Sequence, residues 1–245
     1  MIETIEHGDI AVLELNRGPV NALDLELLIG LPLALADTDW ASAVVLTGAG
    51  RCFSAGVDLK RIVDDGAPYV AEFLPALSTA ALALFDHPRP VVAAINGHAL
   101  AGGCVLAAAC DLRLMSGGTI GLTELAAGVP FPTVPLEIMR HAAGAALDRL
   151  VLTAHRLDPA EAHAIGLVDD LVGADNLLGT ALRRAGELAA APPAAYALAK
   201  EQLRRPARER MMARRVADDV RVEALWSAPE THEFLRAFLA RLSAR

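Results

Sequence analysis

The chain has 245 residues, 54% hydrophobic, 21% charged and 4% aromatic, a balance that excludes disorder, collagen and coiled coil and fills one sizeable core without staples. Its formal charge of −8, from 22 basic and 30 acidic residues with no basic stripe interleaved with aromatics, argues against a nucleic-acid partner. Three cysteines, Cys52, Cys104 and Cys110, form no Cys-x-x-Cys pair and cannot all be bridged, which points to a reducing, cytoplasmic setting.

In chain order, the start (Met1-Ile2-Glu3-Thr4-Ile5-Glu6) is acidic and lacks the basic-then-apolar order of a secretory leader. Short β-rich runs follow at Ile2 to Glu6 and Ile10 to Leu15, then a helix from Asp24 to about Ala36, then a strand at Ala43 to Leu46. Val44-Val45-Leu46 and Val91-Val92-Ala93-Ala94-Ile95 are apolar on both faces, the pattern of strands covered from both sides. Between them, Tyr69 to Phe85 has apolar residues at helical spacing.

Pro90 to Cys110 carries no charge and is long enough to span a bilayer. Asn96-Gly97 and Gly102-Gly103 punctuate it, however, so the expectation is a buried strand, a turn and a small-residue helix from about Gly102 to Cys110, not a membrane span.

After about Ala142 the character becomes nearly continuous helix with proline-marked breaks: Ala143 to Thr153, Pro159 to Ile165, Asp175 to Ala190, Pro193 to Leu203 and Thr231 to Leu242. No comparable β-rich run follows Leu167-Val168. The organisation expected is an α/β core over residues 1–190 and a helical carboxyl-terminal segment over 191–245. The arginines at 204, 205, 208, 210, 214 and 215 alternate with acids and read as a solvated helix face.

Two glycine clusters carry the chemistry. Thr47-Gly48-Ala49-Gly50-Arg51-Cys52-Phe53-Ser54-Ala55-Gly56-Val57-Asp58-Leu59-Lys60 follows a buried strand. No Gly-Lys-Ser/Thr follows, so it is not a phosphate loop. Phe53 replaces the third glycine of a dinucleotide fingerprint, and Cys52 replaces the first glycine of a Gly-x-Ser-x-Gly elbow. Read alone it is a structural turn or a loop with outward N–H groups. Ala101-Gly102-Gly103-Cys104 opens a helix, where amides are free donors at the positive end of the dipole. Two such loops either serve close packing or present two N–H groups to one carbonyl oxygen, an oxyanion hole.

These segments, with Cys110-Asp111, Ile120-Gly-Leu-Thr-Glu124, Gly128-Val129-Pro130 and Asn21-Ala22-Leu23, resemble in order and spacing the enoyl-CoA hydratase/isomerase (crotonase) family over essentially the whole chain. The resemblance implies a spiral of ββα turns, a carboxyl-terminal helical region, and a homotrimer or dimer of trimers. It also implies an acyl-CoA thioester as the partner, with no cofactor beyond the CoA of the substrate. Matched position by position, the oxyanion amides fall on Val57 and Gly102, and the carbonyl that meets the adenine falls on or near Ala55. Ala55, Val105 and Phe131 are the substrate-lining residues expected.

Hydratases of the family carry two glutamates. Here the first position is Val105, which can neither hold water nor exchange a proton, and the second is Glu124. One carboxylate suffices to move a proton between two carbons. The pattern therefore resembles the delta-3, delta-2-enoyl-CoA isomerases of the family, which also lack the Gly-Gly that Gly128-Val129-Pro130-Phe131-Pro132 lacks. Glu124 is the expected single acid/base, lifted in pKa by an apolar pocket.

Glu137 reads as a helix-dipole acid or as a second carboxylate, Asp58 and Asp111 as caps or pairing partners, and His98 as a structural hydrogen-bonding residue. Lys60 and Arg61 are either solvated or in reach of CoA phosphates. His141, His155 and His163 lack metal-ligand spacing, so no metal is expected. Three readings stay open: an isomerase using Glu124, a hydratase or hydrolase using Glu124 with or without Glu137, and a non-catalytic acyl-CoA binder.

Overall fold

The computed structural model describes residues 2–243. It opens with a hairpin of β1 (Ile2–His7) and β2 (Ile10–Leu15), whose turn is made by Gly8 at φ +64°. Next come α1 (Leu25–Ala36), β3 (Ala43–Gly48), β4 (Cys52–Ser54) and α2 (Leu59–Phe85). β5 (Val91–Ile95), β6 (His98–Leu100) and α3 (Gly102–Ala109) repeat the strand-strand-helix order, and β7 (Leu112–Met115), β8 (Ile120–Gly121) and α4 (Thr133–Ala143) repeat it again. The remainder comprises α5 (Leu147–Thr153), β9 (Arg156–Leu157), α6 (Pro159–Ala164), β10 (Asp170–Leu171), α7 (Leu177–Ala189), α8 (Pro193–Trp226) and α9 (Pro229–Ser243).

The strands form two sheets. The larger has the order β1-β2-β3-β5-β7-β10 and is parallel apart from β1, and the smaller has the order β4-β6-β8-β9. Alternation explains why the long strands read as unbroken apolar runs. Leu13, Val44, Leu46, Val91 and Ala93 face the main core, whereas Val12, Ala43, Val45, Val92 and Ala94 pack on the other side with Leu177, Ala181 and Ala185 of α7. From β3 onward, each of three successive ββα turns sends one strand to the large sheet and the next to the small one, which is the spiral that the resemblance implied.

The uncharged stretch splits as expected into β5, a turn and α3, with β6 between them. Among the described residues, the helix long and apolar enough to cross a membrane is a different one, α2. It is more than half buried in the protein and broken at Gly66, whose φ of +69° and ψ of −157° are non-helical. Asp58 caps α2 by accepting from the Arg61 N–H at 3.2 Å, as Asp24 caps α1 by accepting from the Leu27 N–H at 2.9 Å.

Three expectations need correction. The helix read over Ala143 to Thr153 is two elements: α4 ends at Ala143, and Gly144 at φ +51° resets the chain before α5. The helix read as ending at Leu203 continues through Pro206 to Trp226. The arginine face is not uniformly solvated, since Arg204 is buried.

Arg204 and Lys200 together fasten α8 to the core. Both pair with Asp111 at 2.7 Å, and Asp111 also accepts the Val91 N–H at 2.8 Å. Lys200 donates further to the Arg89 carbonyl and Arg204 to the Phe85 carbonyl, with the guanidinium 4.2 Å from the Phe85 ring centre. Burial pulls the Lys200 ammonium down to about 8 despite its carboxylate partner. Asp111 is thus a pairing partner, and the segment beyond residue 190 is locked to the core by charges that would be costly to leave unpaired.

Candidate active site

The small sheet sets the site. The chain leaves β4 into Ala55-Gly56-Val57, leaves β6 into Ala101-Gly102, and leaves β8 into Leu122-Thr123-Glu124. Neighbouring strands stand about 4.8 Å apart, so the three segments lie side by side. Ala55, Val57, Ala101 and Glu124 line one cavity of about 290 Å³. Trp226 at the end of α8 and Phe238 and Leu242 of α9 also line it.

Glycines allow the first two segments to touch. A Cβ at Gly56, which has φ +88°, would stand 2.6 Å from the Leu100 carbonyl oxygen, and one at Gly103 would stand 2.6 Å from the Ser54 carbonyl oxygen. Asn21 fastens the loop before β4: its side-chain amide donates to the Cys52 carbonyl at 2.7 Å and the Ala49 carbonyl at 3.0 Å. The Ser54 hydroxyl donates to the Asn21 carbonyl and accepts the Gly56 N–H.

The bridge between residues 23 and 57 runs from the Leu23 N–H to the Gly56 carbonyl and from the Asp58 N–H to the Leu23 carbonyl. It leaves the Val57 N–H uncommitted. Gly102 is the first residue of α3, so its N–H has no acceptor one turn earlier in the helix. A Cβ on Gly102 would lie 3.8 Å from Val57 Cγ2, so the two amides belong to adjoining backbone. Ala101 turns the strand into the helix at φ 50° and ψ −124°, a conformation costly for a residue with a Cβ. That strain sits at the point where the two donor segments meet.

Glu124 begins a 3₁₀ turn, and its carbonyl accepts the Ala127 and Val129 N–H groups. The residue is 7% exposed, and its Oε2 has no hydrogen-bond partner. Burial pushes the carboxyl up to about 8, opposed only by backbone hydrogen bonds at Glu124 and Thr123. A buried carboxylate with a free oxygen, a raised pKa and no salt bridge to a cation is equipped to exchange a proton near neutrality.

The other expected residues fall in different places. Ala55 and Val57 line the cavity, whereas Gly102, which directly follows the lining Ala101, and Val105 are buried and are not among its lining residues. Val105 occupies the second turn of α3 within the core. Phe131 does not line the Glu124 cavity either. It faces a separate groove between α4 and α8, with Glu137, Arg140 and Arg210.

Glu137 stands in α4 one turn past its start at Thr133, buried and paired with Arg140 and Arg210. It therefore neither reaches Glu124 nor serves the first turn of its helix. Lys60 pairs with Asp64, and Arg61 with Glu26 and Asp65. His98 is hydrogen bonded to Thr119, and no group of three His, Cys, Asp or Glu side chains suits a metal among the described residues.

Sequence reasoning missed Ala101, Arg156, Trp226, Phe238 and Leu242, all of which line the cavity. The small residue before Gly102 was a signal for Ala101. Nothing local marks the others, because the fold brings them in from distant segments.

The family model described as enoyl-CoA hydratase/isomerase matches residues 5–245. Human enoyl-CoA delta isomerase 1 is 28% identical to this chain, over 99% of it and 83% of the relative, and a probable enoyl-CoA hydratase of Rhizobium meliloti is 34% identical over 100% and 96%. Among solved structures, human mitochondrial delta3-delta2-enoyl-CoA isomerase superposes with a TM-score of 0.93 at 28% identity, covering 99% of this chain and 98% of that one.

Proposed function

The chain belongs to the enoyl-CoA hydratase/isomerase family and has the crotonase fold, and from that premise we propose that it moves the double bond of an enoyl-CoA from carbon 3 to carbon 2, with Glu124 as the single acid/base. The family acts on acyl-CoA thioesters. The observation that carries the finer reading is the Glu124 carboxylate, buried with an unpartnered oxygen in an apolar-walled cavity. The other carboxylate of that wall, Asp58, is engaged as the cap of α2.

In this mechanism the thioester oxygen accepts hydrogen bonds from the Val57 and Gly102 N–H groups. Glu124 takes a proton from carbon 2. The electron pair of that C–H bond forms the new C2=C3 bond, the C3=C4 pair moves toward carbon 4, and charge spreads onto the thioester oxygen. The same carboxyl then returns its proton to carbon 4, so atoms and charge balance with no water or cofactor consumed.

Hydration is the competing reading, favoured by relatives named as hydratases. It needs a second carboxylate to hold water, and Glu137 is sequestered with two arginines elsewhere. The proposal includes a cytoplasmic setting, consistent with three free buried cysteines, and a homotrimer or dimer of trimers.

The deciding assay offers a delta-3-enoyl-CoA and a trans-2-enoyl-CoA in parallel. Gain of conjugation to the thioester from the first is expected, and loss of it from the second without gain from the first would overturn the isomerase reading in favour of hydration. Thermal stabilisation by acyl-CoA with no turnover of either would reduce the protein to a binder. The base form of Glu124 is the active one, so kcat/KM for the delta-3 substrate is expected to rise about tenfold per pH unit below about 8 and to level above it. A profile already flat at pH 6 would remove Glu124 as the proton acceptor.

A further inference from the structure

Arg156 is a cation on the wall of the Glu124 cavity, and the mechanism does not use it. β9, which carries it, pairs antiparallel with β8 in the register Gly121 to Arg156. The approach is close because residue 121 is glycine: a Cβ there would stand 2.5 Å from the His155 carbonyl oxygen and 3.3 Å from Arg156 Cα. Leu157 on the next position is buried in the core, so the strand's alternation puts Arg156 on the exposed side.

Three ionisable residues share that wall. Lys60 is paired with Asp64, Asp58 caps α2, and Glu124 is shifted by burial with no cation contributing. Next in sequence, His155 lies 3.8 Å from Glu161. The Arg156 side chain forms no hydrogen bond or ion pair with any described residue.

The order of strands gives the direction in which a substrate would meet these groups. Across the small sheet the order is β4, β6, β8, β9. Val57 follows β4, Gly102 follows β6, Glu124 follows β8, and Arg156 is on β9. A thioester oxygen held by the first two places the reacting carbons at the third. An acyl chain continuing the same way reaches β9 about one strand spacing, roughly 4.8 Å, farther on. Lys60 stands at the opposite, β4 side of the site, on the wall it shares with Ala55, where the family resemblance places the adenine of CoA.

We propose that Arg156 recognises a carboxylate at the far end of the acyl chain, so that the preferred substrate is the CoA half-thioester of an unsaturated dicarboxylic acid. This rests on the binding mode given above and names its substrate class. A guanidinium is suited to the task because its planar fork pairs with a carboxylate through two hydrogen bonds. The apolar walls supplied by Trp226, Phe238 and Leu242 suit the methylene chain between the two charged ends.

The test uses saturated thioesters, which bind without reacting. Calorimetric titration of the full chain compares hexanoyl-CoA with adipyl-CoA, and octanoyl-CoA with suberyl-CoA. In at least one pair the dicarboxylic member is expected to bind about three- to tenfold more tightly at low salt. The preference should shrink in high salt, persist in part in Arg156→Lys, and vanish in Arg156→Met through loss of the dicarboxylic ligand alone. Weaker binding of both members of a pair by Arg156→Met would instead place Arg156 on a CoA phosphate and overturn the proposal. Equal binding within both pairs by the native protein would also overturn it while leaving the acyl-CoA reading intact. If no thioester binds at all, the underlying reading fails with it. Arg156 is exposed, so Arg156→Met is expected to unfold at the native temperature, and a native thermal transition in the same samples confirms that the comparison reports recognition.

Discussion

Glu124→Gln is expected to lower kcat for delta-3-enoyl-CoA isomerisation by at least about 10²- to 10⁴-fold while making the folded protein more resistant to heat at neutral pH. The two effects share one cause. Burial holds the carboxyl neutral up to a pKa of about 8, far above its ordinary range near 4.5. Below pH 4.5 the group carries its proton in both the folded and unfolded chain and adds no pH dependence. Between about 4.5 and 8 the folded chain keeps the proton that the unfolded chain has lost, so the stability of the native enzyme falls as pH rises through that window. Glutamine has a similar shape and no charge to desolvate. The difference in melting temperature between variant and native protein should therefore grow in the variant's favour from about pH 4.5 to about pH 8, and then level. A thermal-shift series across that range, run beside the isomerase assay, checks both statements. Full activity in Glu124→Gln would remove the residue from the chemistry, and a melting difference independent of pH would mean that the carboxylate is solvated in the folded state.

The readable parts of this chain are those where one local pattern fixes the outcome. Strands β3 and β5 were marked by runs apolar on both faces, and both faces are covered, one by the main core and one by α7. Glu124 and the two glycine loops were marked by motif order, and the small sheet sets them side by side. Strands β4, β6, β8, β9 and β10 are two or three residues long. Such short pieces show no period, and they exist because the longer strands beside them fix their position. The extent of α8 was hidden by Pro206 and by charges that read as solvated, although Arg204 is buried against Asp111. The placement of Phe131 was hidden for a similar reason. Its neighbours in sequence include Val129, which lines the cavity, but the chain turns into α4 and carries Phe131 to the groove against α8. The walls from Trp226, Phe238 and Leu242 lie about a hundred residues from Glu124, and only the docking of α8 and α9 brings them near.

Gly56→Ala is expected to lower kcat by about 10²- to 10³-fold, with a smaller effect on the binding of a saturated acyl-CoA. The residue has φ +88°, which an alanine adopts only with strain. Its added methyl would stand 2.6 Å from the Leu100 carbonyl oxygen and 2.8 Å from Ala101 Cβ. Neither obstacle is the loose end of a flexible side chain, so the backbone on one side must retreat. One side carries Val57 and the other leads directly into Gly102. Separating them widens the gap between the two N–H groups that hold the thioester oxygen. The loss falls on the transition state because the charge on that oxygen is greatest there, and ground-state affinity rests largely on contacts elsewhere in the ligand. Gly102→Ala provides the contrast: its methyl would meet Leu23 Cδ1 at 2.8 Å and Leu77 Cδ1 at 3.5 Å, both ends of movable side chains, and its loss should be smaller. Steady-state kinetics, acyl-CoA titration and melting curves on both variants separate the effects. Should Gly56→Ala keep its kcat, or lose activity only in proportion to acyl-CoA affinity, the adjoining amides would not be stabilising the charge that develops during proton transfer.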